Sequence, residues 1–346
     1  FARKLASILE PDDVVWVHDY HLIPLAAELR QAGVENRIGF FLHVPFPAFE
    51  ALRAAPGYEY LLRSLCAYDV IGFHTPRDLA AFHSCVREPV IGGEILDDNR
   101  IRLPGGELIA DVYPIGVDVD ELQEMATAAT ELKQVRNMAR SLGGRDLIIG
   151  VDRLDYSKGL VQRFLAYERL LEKYPNTQQF VTLMQIAPPT RTGVRTYDEI
   201  RHELEQVSGR INGRFSESNW VPIRYLNKGV ARKPLMGFFR HARVGLVTPV
   251  RDGMNLVAKE YVAAQDPEDP GMLVLSSLAG AACELEDAVI VNPHDRDDVA
   301  DGMANALTMS LEERRARHSA MLKILRKNDI TTWRRRFVDA LVSSGN

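Results

Sequence analysis

The sequence predicts an α/β protein of two domains, each built on a largely parallel sheet. Short continuous apolar runs such as 14–17 (VVWV) and 147–151 (LIIGV) alternate with stretches of helical period, the pattern of strands buried on both faces and joined by crossover helices. Several runs end in ionisable or glycine-containing turns (His18-Asp19, His43, Asp152-Arg153, Arg251-Asp252-Gly253), where open parallel sheets bind ligands. A length of 346 residues, 46% of them apolar, supplies two cores more readily than one oversized core.

In chain order, Phe1 to Leu9 is an amphipathic helix stopped by Pro11-Asp12-Asp13. Strand 14–17 leads into His18-Asp19-Tyr20-His21, and a helix from Leu22 to Ala32 closes at Gly33. The strand RIGFFLHV follows, so Asp19 and His43 both stand at carboxyl ends of strands and are expected to share a crevice. Packing or capping is the bland alternative for His18, His21 and His43 and the favoured one for the first two, and a metal cluster is not expected because no further Cys, Glu or His spacing completes it. A helix covers Glu50 to Tyr68, a strand Val70 to Phe73 and a helix Asp78 to Val86; Glu88 to Leu108, rich in Gly, Asp and Pro, reads as a hairpin or irregular excursion. Asp111 to Ile115 closes the first domain, assigned to 1–116.

The charged segment after Asp118 reads as a solvated surface helix. A second strand and helix series, assigned to 117–327, opens at Asp146 to Val151. Its first turn carries Arg153 and Lys158, five residues apart; both can reach one diphosphate, the lysine from a helix N-terminus. A surface ion pair of Arg153 with Asp152 or Asp155 is the bland alternative. Further strands are expected at 180–186, 223–226, 244–250, 272–276 and 288–291, and helices at 160–174, 197–210, 233–241, 297–308 and 311–327. The stretch VGLVTPVRDGMNLVAKEYVAAQ reads as strand, polar elbow and a helix starting near Met254 and Asn255, a ready anion site; there Asp252 could alternatively be only an N-cap and Gly253 only a turn residue. Neither G-x-G-x-x-G nor a P-loop motif occurs at these elbows, which argues against a dinucleotide fingerprint. The last segment, 328–346, carries Trp333, Phe337 and Leu341 on one stripe and is expected to pack back toward the first domain.

A net charge of −5 with interspersed signs offers no field for nucleic acid, and no nucleic-acid partner is expected. Three distant cysteines (Cys66, Cys85, Cys283) without C-x-x-C spacing fit a reducing, cytoplasmic setting. No apolar run approaches the ~20 residues of a membrane span, so no membrane association is expected.

The segments WVHDYHL, GFFLHVPFP, DVIGF, RLDYSKG, QIAPPTR and VTPVRDGMNLVAKEYVAAQ closely resemble the trehalose-6-phosphate synthases, glycosyltransferase family 20, from the first helix to the last. The resemblance implies the GT-B class, with two Rossmann-like parallel-sheet domains facing a cleft, and retaining transfer of glucose from UDP-glucose to glucose-6-phosphate without a metal. It implies that Arg153 and Lys158 hold the donor diphosphate, that Leu256, Val257 and Ala258 meet UDP, and that Glu260 binds the ribose. Asp252 with Gly253, Met254 and Asn255 would grip the donor glucose, and Ile186 and Val230 would flank the uracil. His43 would face the reacting sugar, Asp19 the acceptor sugar and Arg191 the acceptor phosphate. Asp19, His43, Arg153, Lys158 and Asp252 are the catalytic set so implied. Val230 stands where the family often has an aromatic residue. The family also carries a segment before Phe1, so the first domain is expected to be incomplete here. A homo-oligomer is expected. A glucosylglycerol-phosphate synthase using glycerol 3-phosphate, and a non-catalytic regulatory or binding homologue, are the alternatives.

Overall fold

The apolar runs form strands, and alternation along each strand decides which layer a residue joins. The computed structural model describes residues 1–96, 99–189 and 195–344. They divide into one unit of Phe1–Ile115 with Ile330–Asn346 and a second of Gly116–Asp329.

In the first unit the chain runs through α1 (Ala2–Ala6), β1 (Val14–His18), α2 (Leu25–Gln31), β2 (Arg37–Phe41), α3 (Phe49–Leu52), α4 (Tyr58–Leu65), β3 (Val70–Phe73), α5 (Pro76–Val86), β4 (Glu94–Ile95), β5 (Arg100–Leu103) and β6 (Gly106–Val112). The sheet order is β1-β2-β3-β6-β5-β4, parallel through β6 and then antiparallel, so the excursion after Glu88 is a hairpin added to the edge. Two expected helices are interrupted. Pro24 delays α2, leaving a 3₁₀ turn at Tyr20–Leu22, and Pro56-Gly57, with Gly57 at φ 77°, separates α3 from α4.

The second unit contains α6 (Val119–Ala129), α7 (Lys133–Leu142), β7 (Asp146–Val151), α8 (Leu160–Lys173), β8 (Val181–Ile186), α9 (Arg195–Phe215), β9 (Ile223–Leu226), α10 (Arg232–His241), β10 (Val244–Val247), α11 (Leu256–Ala264), β11 (Met272–Ser276), β12 (Val289–Val291), α12 (Arg296–Thr308) and α13 (Leu311–Lys327). The segment after Asp118 is therefore two helices and not a solvated one: Leu122, Ala126, Val135 and Met138 are buried, and α6 packs on α10 and α11. Its charges occupy only the outer face. The sheet is wholly parallel in the order β12-β11-β10-β7-β8-β9. Counted from β7 as the first strand this is 3-2-1-4-5-6, the Rossmann order, whose direction reverses between β7 and β10.

The last helix, α14 (Ile330–Ser343), belongs to the first unit. Its Trp333, Phe337 and Leu341 stripe packs with Phe41, Val70 and Tyr113 on one face of that sheet. The alternate residues Ile38 and Phe40 enter the core on the other face with Leu29, Phe73 and Phe82.

Candidate active site

Arg153, Lys158 and Asp252 to Asn255 lie on the loops leaving β7 and β10, the adjacent strands at which the sheet order reverses, where open α/β sheets bind ligands. The β7 loop is folded by its own side chains. Asp155 Oδ1 accepts from the Ser157 amide and hydroxyl, both at 2.9 Å, and Gly159, at φ 62°, turns the chain into α8. A side chain at Gly159 would also meet the Thr248 carbonyl at 2.9 Å, so the β10 loop can close onto it only because glycine is there. The Ser157 carbonyl in turn accepts from the Val250 amide at 2.9 Å, joining the two loops.

The arrangement gathers charge. Lys158 Nζ donates to Asp252 Oδ2 at 2.5 Å, and Asn255 Nδ2 donates to the same oxygen at 2.9 Å. Asp252 Oδ1 accepts from the Gly253 amide at 3.0 Å. Arg153 is exposed, and among the described residues its guanidinium has no hydrogen bond or ion pair; Asp152 pairs with Arg163 and Asp155 serves its own loop, so the bland pairing fails. Asp252 is not the helix cap either. Asn255, at φ 68°, caps α11 by accepting from the Ala258 amide at 3.2 Å, and the helix accordingly begins at Leu256. The first-turn amides of Leu256 and Val257 lack intrahelical acceptors and carry the positive end of the helix dipole. Met254 is buried, and its carbonyl accepts from the Ala281 amide at 2.8 Å. Burial raises the Glu260 carboxyl above its ordinary pKa, with Arg232 opposing. Val230 is half-buried in the segment after β9, whereas the Ile186 side chain lies inside the sheet core, 1% exposed, so only its backbone could reach a base. Arg191 lies outside the described residues.

Beneath this surface lies a group that pattern reading missed. Arg163 is buried: Nη1 donates to Asp152 Oδ2 at 2.6 Å and Gln185 Oε1 at 2.9 Å, and Nε to Thr248 Oγ1 at 3.0 Å. The available signal was an arginine in the apolar face of α8, beside Leu160, Phe164 and Tyr167.

In the first unit, Asp19 follows β1 with φ 68° and ψ 165°, a region essentially reserved for glycine and occupied by other residues at functional sites. Its Oδ1 is buried without a hydrogen-bond partner among the described residues. Its amide donates to the Phe41 carbonyl at 2.8 Å, placing it beside the end of β2, from which His43 follows. His18 Nδ1 and His43 Nε2 are 3.0 Å apart, so His18 is the partner of His43 and not merely a packing residue. Trp16, Trp333, Phe41 and His74 surround the two imidazoles. Burial, chiefly, holds both histidines below their ordinary pKa; the His43 ring lowers His18 further, and Asp19 opposes in both cases. A pair sharing one N–H must be neutral on at least one side. His21 is exposed and stacks on Tyr20.

The model of glycosyltransferase family 20 matches residues 1–343. The chain is 53% identical over 342 residues to a trehalose-6-phosphate synthase of Klebsiella pneumoniae, an alignment covering 98% of this chain and 71% of that one. It is similar to the crystal structure of a UDP-forming α,α-trehalose-phosphate synthase from Burkholderia xenovorans in complex with glucose-6-phosphate (TM-score 0.96, 53% identity, 99% of this chain and 76% of that one). It is equally similar in fold to an E. coli protein bound with UDP-2-fluoro glucose (TM-score 0.96, 50% identity, 99% and 76% covered). With a parallel Rossmann-order sheet, an anion-ready elbow at its switch point and a family match along nearly its whole length, the chain belongs to glycosyltransferase family 20.

Proposed function

We propose that this chain transfers glucose from UDP-glucose to the anomeric oxygen of glucose-6-phosphate, with retention, giving α,α-trehalose-6-phosphate and UDP. The observation that carries the reading is the Lys158–Asp252 pair at the switch point of the second unit, tied to the α11 cap through Asn255, with Arg153 on the same β7 loop as Lys158. A cation for a diphosphate and a carboxylate for sugar hydroxyls are thereby held side by side. The C1–O bond to the diphosphate breaks with an oxocarbenium-like transition state, and negative charge builds on the leaving UDP. Arg153, Lys158 and the Met254 to Val257 backbone are the donors proposed to meet that charge, each worth about 2.7–4 kcal/mol in comparable sites. The acceptor hydroxyl proton goes to the departing phosphate oxygen, so no carboxylate pair at glycosidase spacing is required. Glu260 is assigned to the ribose and Ala258 to the UDP end of α11. Asp19 is assigned to the acceptor sugar, supported by its glycine-like backbone and by a buried carboxylate oxygen without a hydrogen-bond partner among the described residues. His43, held by His18, is assigned to the reacting sugar. The glucose-6-phosphate and UDP-2-fluoro glucose bound in the related structures support this reading.

The test is product analysis of the full-length protein given UDP-glucose with glucose-6-phosphate or with glycerol 3-phosphate. Trehalose-6-phosphate from the first mixture is expected; product only from the second would move the assignment to glucosylglycerol-phosphate synthesis. UDP binding with no product from either would make the chain a binding homologue.

A further inference from the structure

We infer that Arg163 is a positioning residue for the diphosphate site, gripping the carboxyl ends of three neighbouring strands so that the turn carrying Arg153 and Lys158 faces the β10 loop. The inference rests on the second unit's being the donor side. Two partners of the guanidinium adjoin a candidate site residue, and the third stands on the loop that carries Asp252. Asp152 follows β7 and precedes Arg153, and Gln185 precedes Ile186 on β8. Thr248 follows β10, two residues before Val250, whose amide binds the Ser157 carbonyl of the opposite loop. The Arg163 amide donates to the Gly159 carbonyl at 2.9 Å, so the same residue fixes the first turn of α8 directly behind Lys158.

The sequence makes room for this group. A side chain at Gly150 would lie 2.8 Å from Arg163 Nη1 and 2.4 Å from Gln185 Oε1, so β7 has no Cβ where the guanidinium enters. Packing alone does not call for an arginine here. A buried ion pair seldom improves on apolar side chains of similar volume, and Arg163 Nη2 is left buried without a partner among the described residues. What the planar fork supplies, and Leu or Met would not, is fixed angles between several loops at once.

Two roles for Arg163 make opposite predictions at its partner. If it acted only through its field, removing its charge would weaken binding of a polyanion and removing the Asp152 charge would strengthen it. If it positions the turn, loss of either partner misplaces the same loop, and both changes weaken the grip on the diphosphate. The experiment is calorimetric titration of the full-length protein with UDP and with uridine, the affinity ratio reporting the diphosphate alone. Arg163→Met and Asp152→Asn are each expected to lower that ratio by about 10-fold to 100-fold, the scale of a displacement near 1 Å. The double substitution should do no worse than Arg163→Met, and Arg163→Lys should not restore the ratio. Thr248→Val, of similar volume, removes one acceptor only and should lower the ratio in the same direction; it decides the matter if the other variants do not fold. A higher ratio in Asp152→Asn, or an unchanged ratio in folded Thr248→Val, would overturn the inference while leaving the donor assignment intact. Failure of the unaltered protein to bind UDP would remove both together.

Discussion

Asp19 combines a backbone conformation that glycine would adopt freely with a buried carboxylate oxygen that has no hydrogen-bond partner among the described residues. Such a position costs the fold of order 1–3 kcal/mol. Asp19→Gly is therefore expected to raise stability by about 1 kcal/mol in urea titration while abolishing acceptor use in steady-state assays. Arg153→Ala should lower turnover about 10²-fold to 10³-fold, because in the proposed reaction it removes a donor to the leaving diphosphate; a near-normal rate would sink that assignment. The histidine pair predicts a pH dependence with a definite sign. His18 and His43 have folded pKa values below the ordinary ~6.5 of the unfolded chain, through burial first, against the opposing field of Asp19. Below that value the unfolded chain takes up protons that the folded pair resists. Stability is therefore full above it and lost as the pH falls through the interval down to the folded values. His318, buried on α13 and bonded to the Val262 carbonyl, adds in the same direction. A melting temperature lower at pH 5 than at pH 7.5 is expected, with a smaller drop in His18→Asn.

At the scale of elements, α14 shows how a local pattern and a distant cavity agree. The spacing of Trp333, Phe337 and Leu341 was legible as an apolar stripe, and all three are buried. What they pack on was not. A side chain at Gly39 would lie 2.7 Å, and one at Gly72 2.9 Å, from the Phe337 ring, so two adjacent strands leave out Cβ atoms beneath one aromatic residue. Phe337→Ala should destabilise the first unit by about 3–5 kcal/mol, measured by urea unfolding, because the flat glycine floor cannot collapse into the space. The elbow before α11 shows the converse. Its strand, turn and helix were legible, yet the cap is Asn255 in a left-handed conformation, which frees Asp252 to bind Lys158. Short-range preferences rank Asp and Asn alike at a cap, so the choice between them came from the lysine. The segment after Asp118 was misread on its charges alone, although Leu122, Val135, Met138 and Leu142 recur at helical spacing and fall on the buried faces of its two helices.

For the whole molecule, the proposed reaction stabilises the leaving group with fixed cations and amides, and transfer is expected to continue undiminished in EDTA; loss of turnover restored by a divalent ion would overturn that expectation. The sequence by itself determined the alternation of strand and helix, the family, and the residue types at each strand end, because these are written in local periodicity and in contiguous motifs. Tertiary structure alone decided which of those ends meet. Lys158 and Asp252 are 94 positions apart, and His18 and His43 are 25 apart. Arg163 reaches Asp152, Gln185 and Thr248 at the carboxyl ends of three separate strands. Parallel strands are joined by crossovers through other layers, so neighbours in the sheet need not be neighbours in the chain. Strand order brings β7 beside β10, and with it the basic turn beside the acidic elbow, a pairing that no window of local sequence contains.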